Sequence, residues 1–519
     1  MSIKFKIIPN SERTPSEGKS IAYLWTDNWN DWFKYCTLYV LTLFDAEGRK
    51  HEIGGVKIGE FGMTKEQSRP NLSNEFPRLT KSFFSLGQDV SYYIAISQLP
   101  EDERSDLLKR LRDVVADPHL FRKAAHEDVM GESLLRSVSV RSIEGQFKRV
   151  LDGGAILTDY SFRFEGPKPK SDKIERLSLE FSVTPDSRPP TNIHVLIGRN
   201  GVGKTFILNC MTRTLVSSSA DDDEDGIFTA DDDFKGEVHE SPFANIVSVT
   251  FSAFDDFSLL PERKNALKGV RYSNIGLRKR VKNKNDEWVT ITRDPTELAD
   301  EFSKSARSCL IGEKANRYHR ALSTLEADPI FAEAEVSALA KFDEQVYPGQ
   351  ASQLFRNLSS GHKIVLLTIT KLVEKVEEQT LVLMDEPEAH LHPPLLSAFI
   401  RALSDLLINR NGVAIIATHS PVVLQEAPKS CVSKIVRHGV AAKAYRPDIE
   451  TFAENVGVLT REVFGLEVVS SGFHKMLGDA IGDSQTIAEV AAKFDNEIGS
   501  EGRALLSSLL ATRKTGGDN

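Results

Sequence analysis

Cysteine is scarce, and none of it falls in a metal-binding pattern. Cys36, Cys210, Cys309 and Cys431 are scattered through 519 residues without C-x-x-C spacing. That argues against a zinc site or a disulfide framework and leads one to expect a reducing, cytoplasmic compartment. No apolar run reaches the roughly 18 residues that cross a bilayer, so no membrane contact is expected. The start, MSIKFKIIPNSER, lacks an apolar core with a cleavage site, so secretion is not indicated. Excess positive charge is missing too. A net charge of −9 draws no part of the whole chain toward nucleic acid, and any such contact must come from a local patch.

What is present is an ordinary globular composition, 40% apolar and 27% charged, with length for roughly two to four domains. The most informative stretch is NIHVLIGRNGVGKTFILNCM, Asn192 to Met211. Ile193 to Ile197 is an apolar, β-branched run that suits a strand buried on both faces. Gly198, Gly201 and Gly203 turn the chain, and Phe206, Ile207, Leu208 and Met211 follow at helical spacing. Gly198, Gly203, Lys204 and Thr205 satisfy G-x-x-x-x-G-K-[ST], in which backbone N–H groups and a helix N-terminus face one anion. The expected phosphate loop runs from Gly198 through Asn200, Gly201 and Gly203 to Lys204, Thr205 and Phe206. Lys204 would reach the β- and γ-phosphates of ATP, and Thr205 would ligate Mg²⁺.

Ahead of this loop, residues 1–145 are expected to form an α+β accessory domain without a chemical motif. Trp25, Trp29 and Trp32 suit the core of a small β-rich domain better than a recognition surface. FKYCTLYVLTLF and HEIGGVKIGEF, joined at Asp45–Gly48, predict a β-hairpin. Leu107, Leu108, Leu111, Val114 and Val115 lie on one helical face. Tyr160, Phe162 and Phe164 suit either stacking on adenine or packing in a sheet. The acidic run from Asp221 to Asp233 predicts a solvated loop rather than a metal site. The basic segment 263–284 contains Arg263, Lys264, Lys268, Arg271, Arg278, Lys279, Arg280, Lys282 and Lys284, with Trp288 nearby. VRYSNIGLRKRV reads as a hairpin with its charges on one face. This is either a solvated face or the candidate nucleic-acid contact.

Three further motifs follow in order. NLSSGHK precedes a helical run; TLVLMDEPEAHLHP holds a strand ending in Asp385 and Glu386; VAIIATHSP holds another ending in Thr418 and His419. Strands that end in polar residues at one edge of a parallel sheet deliver those side chains to the phosphate site.

With the phosphate loop, this set resembles the ABC-type ATPases over about Ile156 to Ile435. The resemblance implies an α/β fold: an ABC-type P-loop ATPase head at 146–435 with a helical insertion at about 255–350, and a helical cap or partner-docking segment at 436–519. It implies that Asp385 joins Thr205 in holding Mg²⁺, that Glu386 is the general base, and that His419 senses the γ-phosphate beside Lys204. It also implies that Ser359 and Gly361 meet ATP bound on a second subunit, in a head-to-head dimer. Two departures stand out: Ser360 and His362 replace Gly and Gln of LSGGQ, and no Gln follows FSAF, where Asp255 or Asp256 takes its place. DEPEAHLHP and ATHSP are similar to the SMC/RecF branch, including the antiphage ATPases OLD and PtuA of Septu systems. OLD proteins carry a nuclease domain after the switch His; no E…DxD arrangement follows His419 here. The nearer likeness, PtuA, implies a separate nuclease subunit of HNH type.

Overall fold

The computed structural model describes residues 3–515 apart from 10–11, 13–14, 28–34, 65, 154–156, 172–173, 218–220, 222, 231–242, 252–258, 264–269, 284–286, 311–312, 342–346, 409, 471, 483 and 485. The N-terminal sheet contains β1 (Lys4–Ile8), β2 (Ile21–Thr26), β3 (Leu38–Phe44), β4 (Lys50–Glu60), β5 (Glu75–Phe76) and β6 (Phe83–Gly87), in the order β5-β1-β2-β3-β4-β6. β3 and β4 form the expected hairpin, with Phe44 opposite Lys50. Its turn is held by Asp45, whose carboxylate accepts from the amides of Glu47 and Arg49 at 3.0 and 2.8 Å. Trp25 is half-buried in β2, whereas Trp29 and Trp32 lie outside the described residues.

Leu107, Leu108 and Leu111 are buried along the helix Glu101–Leu111. Val114 and Val115 do not extend that face: the helix stops at Arg112, which takes φ +48°, although both valines are still buried in the core. Asp89 fastens this N-terminal unit to the rest. It caps the helix Val90–Ser97 through the Ser91 amide at 3.0 Å and pairs with Arg410 and, at 3.4 Å, with Arg317. Burial pushes the Asp89 carboxyl up, but the two guanidinium groups outweigh it and hold the carboxyl well below the usual carboxylate range.

The second unit begins with an antiparallel sheet of β7 (Tyr160–Glu165), β8 (Ser178–Val183) and β10 (Ile227–Ala230), in the order β10-β7-β8. Tyr160, Phe162 and Phe164 are all buried there, so they pack the sheet and offer no face to adenine. The seven-stranded main sheet runs β12-β11-β15-β16-β9-β17-β18. Its members are β9 (Ile193–Ile197), β11 (Asn245–Thr250), β12 (Arg271–Gly276), β15 (Thr380–Asp385), β16 (Val413–Thr418), β17 (Val432–His438) and β18 (Ala441–Tyr445). All neighbours pair parallel except β17 with β18. Apolar side chains bury both faces, as a parallel sheet covered by helices requires. β18 carries this sheet past Ile435, so the segment from 436 opens with a strand before turning helical at Val456.

The basic segment is not a single hairpin. Arg271–Gly276 is a buried strand of the main sheet, and only β13 (Arg278–Lys282) and β14 (Trp288–Thr292) form a hairpin. The alternation breaks at Leu277 because the preceding strand is committed to β11. The buried Arg271 pairs with Glu377, which removes it from any surface patch. The insertion therefore starts with strands and continues with the helices Pro295–Ser308, Glu313–Leu325, Pro329–Glu333 and Tyr347–Asn357. Lys264, Lys268, Lys284, Asp255, Asp256 and Asp231 to Asp233 lie outside the described residues.

Candidate nucleotide site

β9 is buried at every residue and ends at the loop that leads into the helix Lys204–Val216. Gly201 and Gly203 take φ +79° and +99°, which side chains with a Cβ rarely adopt, so the loop can turn its amides toward one point. Lys204 is buried, and its ammonium donates to the carbonyls of Gly198 at 3.0 Å and Arg199 at 3.2 Å. Burial lowers its pKa, while Glu386, Asp385 and Glu388 act in the opposite direction.

β15 and β16 are neighbours, which sets Asp385 beside Ala417 and brings Glu386 against the end of β16. Glu386 takes φ +45° and donates its amide to the Ala417 carbonyl at 2.9 Å. Its Oε1 lies 2.9 Å from Nε2 of His419. Lys204 Nζ lies 3.2 Å from Nδ1 and 3.1 Å from Nε2 of the same ring. The ammonium stands about equally far from both ring nitrogens, and Nε2 also faces Glu386. Residues from three separate stretches of sequence thus meet: the phosphate-loop lysine, the acid after the strand-terminal Asp385, and the histidine that follows β16. An open cleft of about 880 Å³ adjoins them, walled by Arg199, Asn200, Gly201, Val202, His419 and Arg437. Thr205 is half-buried at the helix start, and Phe206 is exposed beside it.

Ser359 and Gly361 make their contacts elsewhere. Ser359 is exposed at the N-terminus of the helix Ser360–Lys375, and its Oγ lies 2.6 Å from His362 Nδ1. Gly361 is buried; a Cβ there would meet the His390 carbonyl oxygen at 2.5 Å. The close approach explains the glycine without reference to nucleotide.

Two further residues shape the site without having been singled out in the sequence. Glu388 Oε1 accepts from Thr418 Oγ1 at 2.6 Å and from the amides of His419 and Ser420 at 2.7 and 3.1 Å, fixing the segment that presents His419. Its position within DEPEAHLHP was the available signal. Arg437, at the end of β17, adds a guanidinium to the cleft, and no local pattern marks it.

The chain is 40% identical over 535 aligned positions to Protein ea59 of Escherichia phage lambda, covering 99% of both chains. It belongs to the ea59 family. Within this ea59-family chain, residues 310–425 match the family described as AAA domain, putative AbiEii toxin, type IV TA system. That span contains Ser359, Asp385, Glu386 and His419, and the phosphate loop lies ahead of it. Among solved structures, the chain is similar to the ADP conformation of MJ1267, an ATP-binding cassette of an ABC transporter, at 14% identity and a TM-score of 0.31, over 60% of this chain and 98% of that one. It is also similar to UvrA2 from Deinococcus radiodurans at 14% identity and a TM-score of 0.24, over 54% of this chain and 37% of that one. Motif order, sheet order and the matched AAA family make the head an ABC-like P-loop nucleotide-binding domain. Among the described residues, no helix is long and apolar enough to cross a membrane.

Proposed function

We propose that this chain is an ATPase that closes around ATP as a head-to-head dimer and uses its nucleotide state to control a separate effector, a nuclease of HNH type, in antiphage defence. The observation that carries the ATPase reading is the convergence of Lys204, His419 and Glu386 at the phosphate loop. Lys204 would bind the β- and γ-phosphates, with the amides of Gly198 to Gly203 around them. Thr205 and Asp385, a hydroxyl and a carboxylate at the loop's exit and the neighbouring strand end, are oxygen donors suited to Mg²⁺. Bound there, Mg²⁺ would neutralise charge developing on the phosphates. Glu386 would orient water and take its proton, and His419 would report the γ-phosphate. Asn200 and Phe206 would flank the nucleotide, and Ser359 and Gly361 would serve the partner's ATP. A relative carried by a phage suits a system that acts on competing phages.

The test is a phage challenge of cells carrying the gene with its neighbouring genes, beside an ATPase assay on the purified protein. Wild type should restrict plaques and hydrolyse ATP; Lys204→Ala should do neither. Equal plaque counts with and without an active ATPase would remove the defence reading and leave the enzyme.

One surface feature favours a second reading, an ATPase of DNA repair in the RecF manner. The β13–β14 hairpin holds Arg280 and Lys282 at 4.9 and 5.6 Å from the exposed Trp288 ring, pairing cations with a stacking surface. Reversing Arg278, Arg280 and Lys282 should then weaken DNA binding and flatten its salt dependence. A wild-type protein that binds no DNA at low salt would eliminate this reading.

A further inference from the structure

His362 occupies the place of the LSGGQ glutamine, and the fold does something specific with it. Its ring is buried and meets Asp328 from the insertion and His392 from the end of the DEPEAHLHP run. One donor atom from each of Asp328, His362 and His392 lies within 4.8 Å of the others. Asp328 Oδ1 caps the helix Pro329–Glu333 through the Ile330 amide at 2.9 Å and lies 3.0 Å from His362 Nε2. Asp328 Oδ2 faces His392 Nε2 at 3.5 Å.

We propose that Asp328, His362 and His392 form a binding site for a zinc-class divalent ion, separate from Mg²⁺ at the nucleotide. Two imidazoles and a carboxylate are the borderline donor set that such ions take, and the set needs no cysteine. Tetrahedral donors at about 2.0–2.2 Å from one ion sit about 3.3–3.6 Å apart. Here Oδ1 stands 3.0 Å from His362 Nε2 and Oδ2 stands 3.5 Å from His392 Nε2, and one donor atom from each residue falls within 4.8 Å of the others, so side-chain adjustment brings all three onto one ion. The Asp328 and His362 side chains are 2% and 4% exposed, while His392 is 53% exposed, which leaves an entry path and a fourth position for water. The outer contacts suit the same role. Ser359 Oγ, 2.6 Å from His362 Nδ1, can accept that ring's proton and leave Nε2 free for the ion. Coordination through His392 Nε2 leaves the ring proton on Nδ1 and gives up the 3.3 Å bond that Nδ1 accepts from the Leu395 amide. The ion ties the insertion and the end of the DEPEAHLHP run to His362, the residue holding Ser359, so it stiffens the NLSSGHK segment.

The experiment uses the full chain without nucleotide, loaded with Zn²⁺ alone, dialysed, and analysed for retained metal. Wild type should keep one equivalent per chain. His392→Ala should lower Zn²⁺ affinity by more than the roughly 10–100-fold that outer-shell changes cost, with ATP affinity at the phosphate loop unchanged. Asp328→Asn should lose the metal too, and because Asp328 is a buried helix cap whose variant can misfold, the exposed His392 carries the decision. No retained zinc in wild type overturns the site. A full equivalent in folded His392→Ala places the ion elsewhere, for instance at Asp385, and overturns it equally.

Discussion

His419 Nε2 lies 2.9 Å from Glu386 Oε1, and the same ring lies within 3.2 Å of the Lys204 ammonium. One imidazole therefore joins the phosphate-loop lysine to the proposed base. On the proposed reading, nucleotide entering the cleft would offer Lys204 phosphate oxygens in place of the Gly198 and Arg199 carbonyls. It would also offer His419 a new partner, which would free Glu386 to face water.

Glu386→Gln keeps the size and the contact with His419 but removes the proton acceptor. ATP hydrolysis should fall roughly 100- to 10,000-fold, the range a general base contributes, with ATP affinity little changed. Single-turnover hydrolysis beside equilibrium nucleotide binding checks this, and unchanged turnover would show that another group is the base.

Gly361→Ala tests the packing of the NLSSGHK segment against the DEPEAHLHP run. Its Cβ would come 2.5 Å from a backbone oxygen of His390, which cannot swing aside as a side chain can. The expected cost is about 1–3 kcal/mol, read as a lower midpoint in denaturant, together with loss of ATPase activity. A variant of wild-type stability would mean that the helix start shifts freely.

The phosphate loop and the ends of β15 and β16 were legible because each is a contiguous pattern whose chemistry dictates residue type and order. The chain gave no comparable sign of Asp328, because its partners His362 and His392 meet it only through the folding of the insertion. Scattered cysteines argued against zinc, but that argument does not reach a set built from histidines and a carboxylate. Alternation also misled at Arg271, where a basic residue in a strand pattern turned out to be a buried partner of Glu377. Charge at the sequence level does not tell a solvated arginine from one that is paired inside.

Acid should weaken the fold through His194 in β9. Burial, followed by the nearby Arg446, pushes its pKa down to about 3. The unfolded chain takes up a proton near pH 6.5 and the folded chain does not, so the neutral ring's contribution is complete above about 6.5 and is lost as pH falls toward 3. At pH 5 the loss is about 2 kcal/mol from this one group. Urea melts at pH 7.5 and pH 5 should show this drop in wild type and a smaller one in His194→Leu. Equal drops in both would assign the acid sensitivity to other groups.

The proposed sandwich is tested by mixing two inactive subunits. Ser359 is exposed and makes its contact with His362, while Lys204 contacts the loop carbonyls and His419. These are two distinct contact sets within one chain. Ser359→Arg should leave ATP binding at the phosphate loop intact and block closure by bulk and charge. Lys204→Ala should abolish binding and leave the signature surface intact. In a mixed dimer, one composite site pairs the altered loop with the altered signature, and the other pairs the two intact halves. ATPase activity should reappear on mixing, approaching half the wild-type rate per heterodimer if the sites fire independently. Two differently tagged subunits, purified in tandem, give the heterodimer for assay. Silence in a verified heterodimer would mean that the sites depend on one another, and full activity in an isolated wild-type monomer would refute the sandwich.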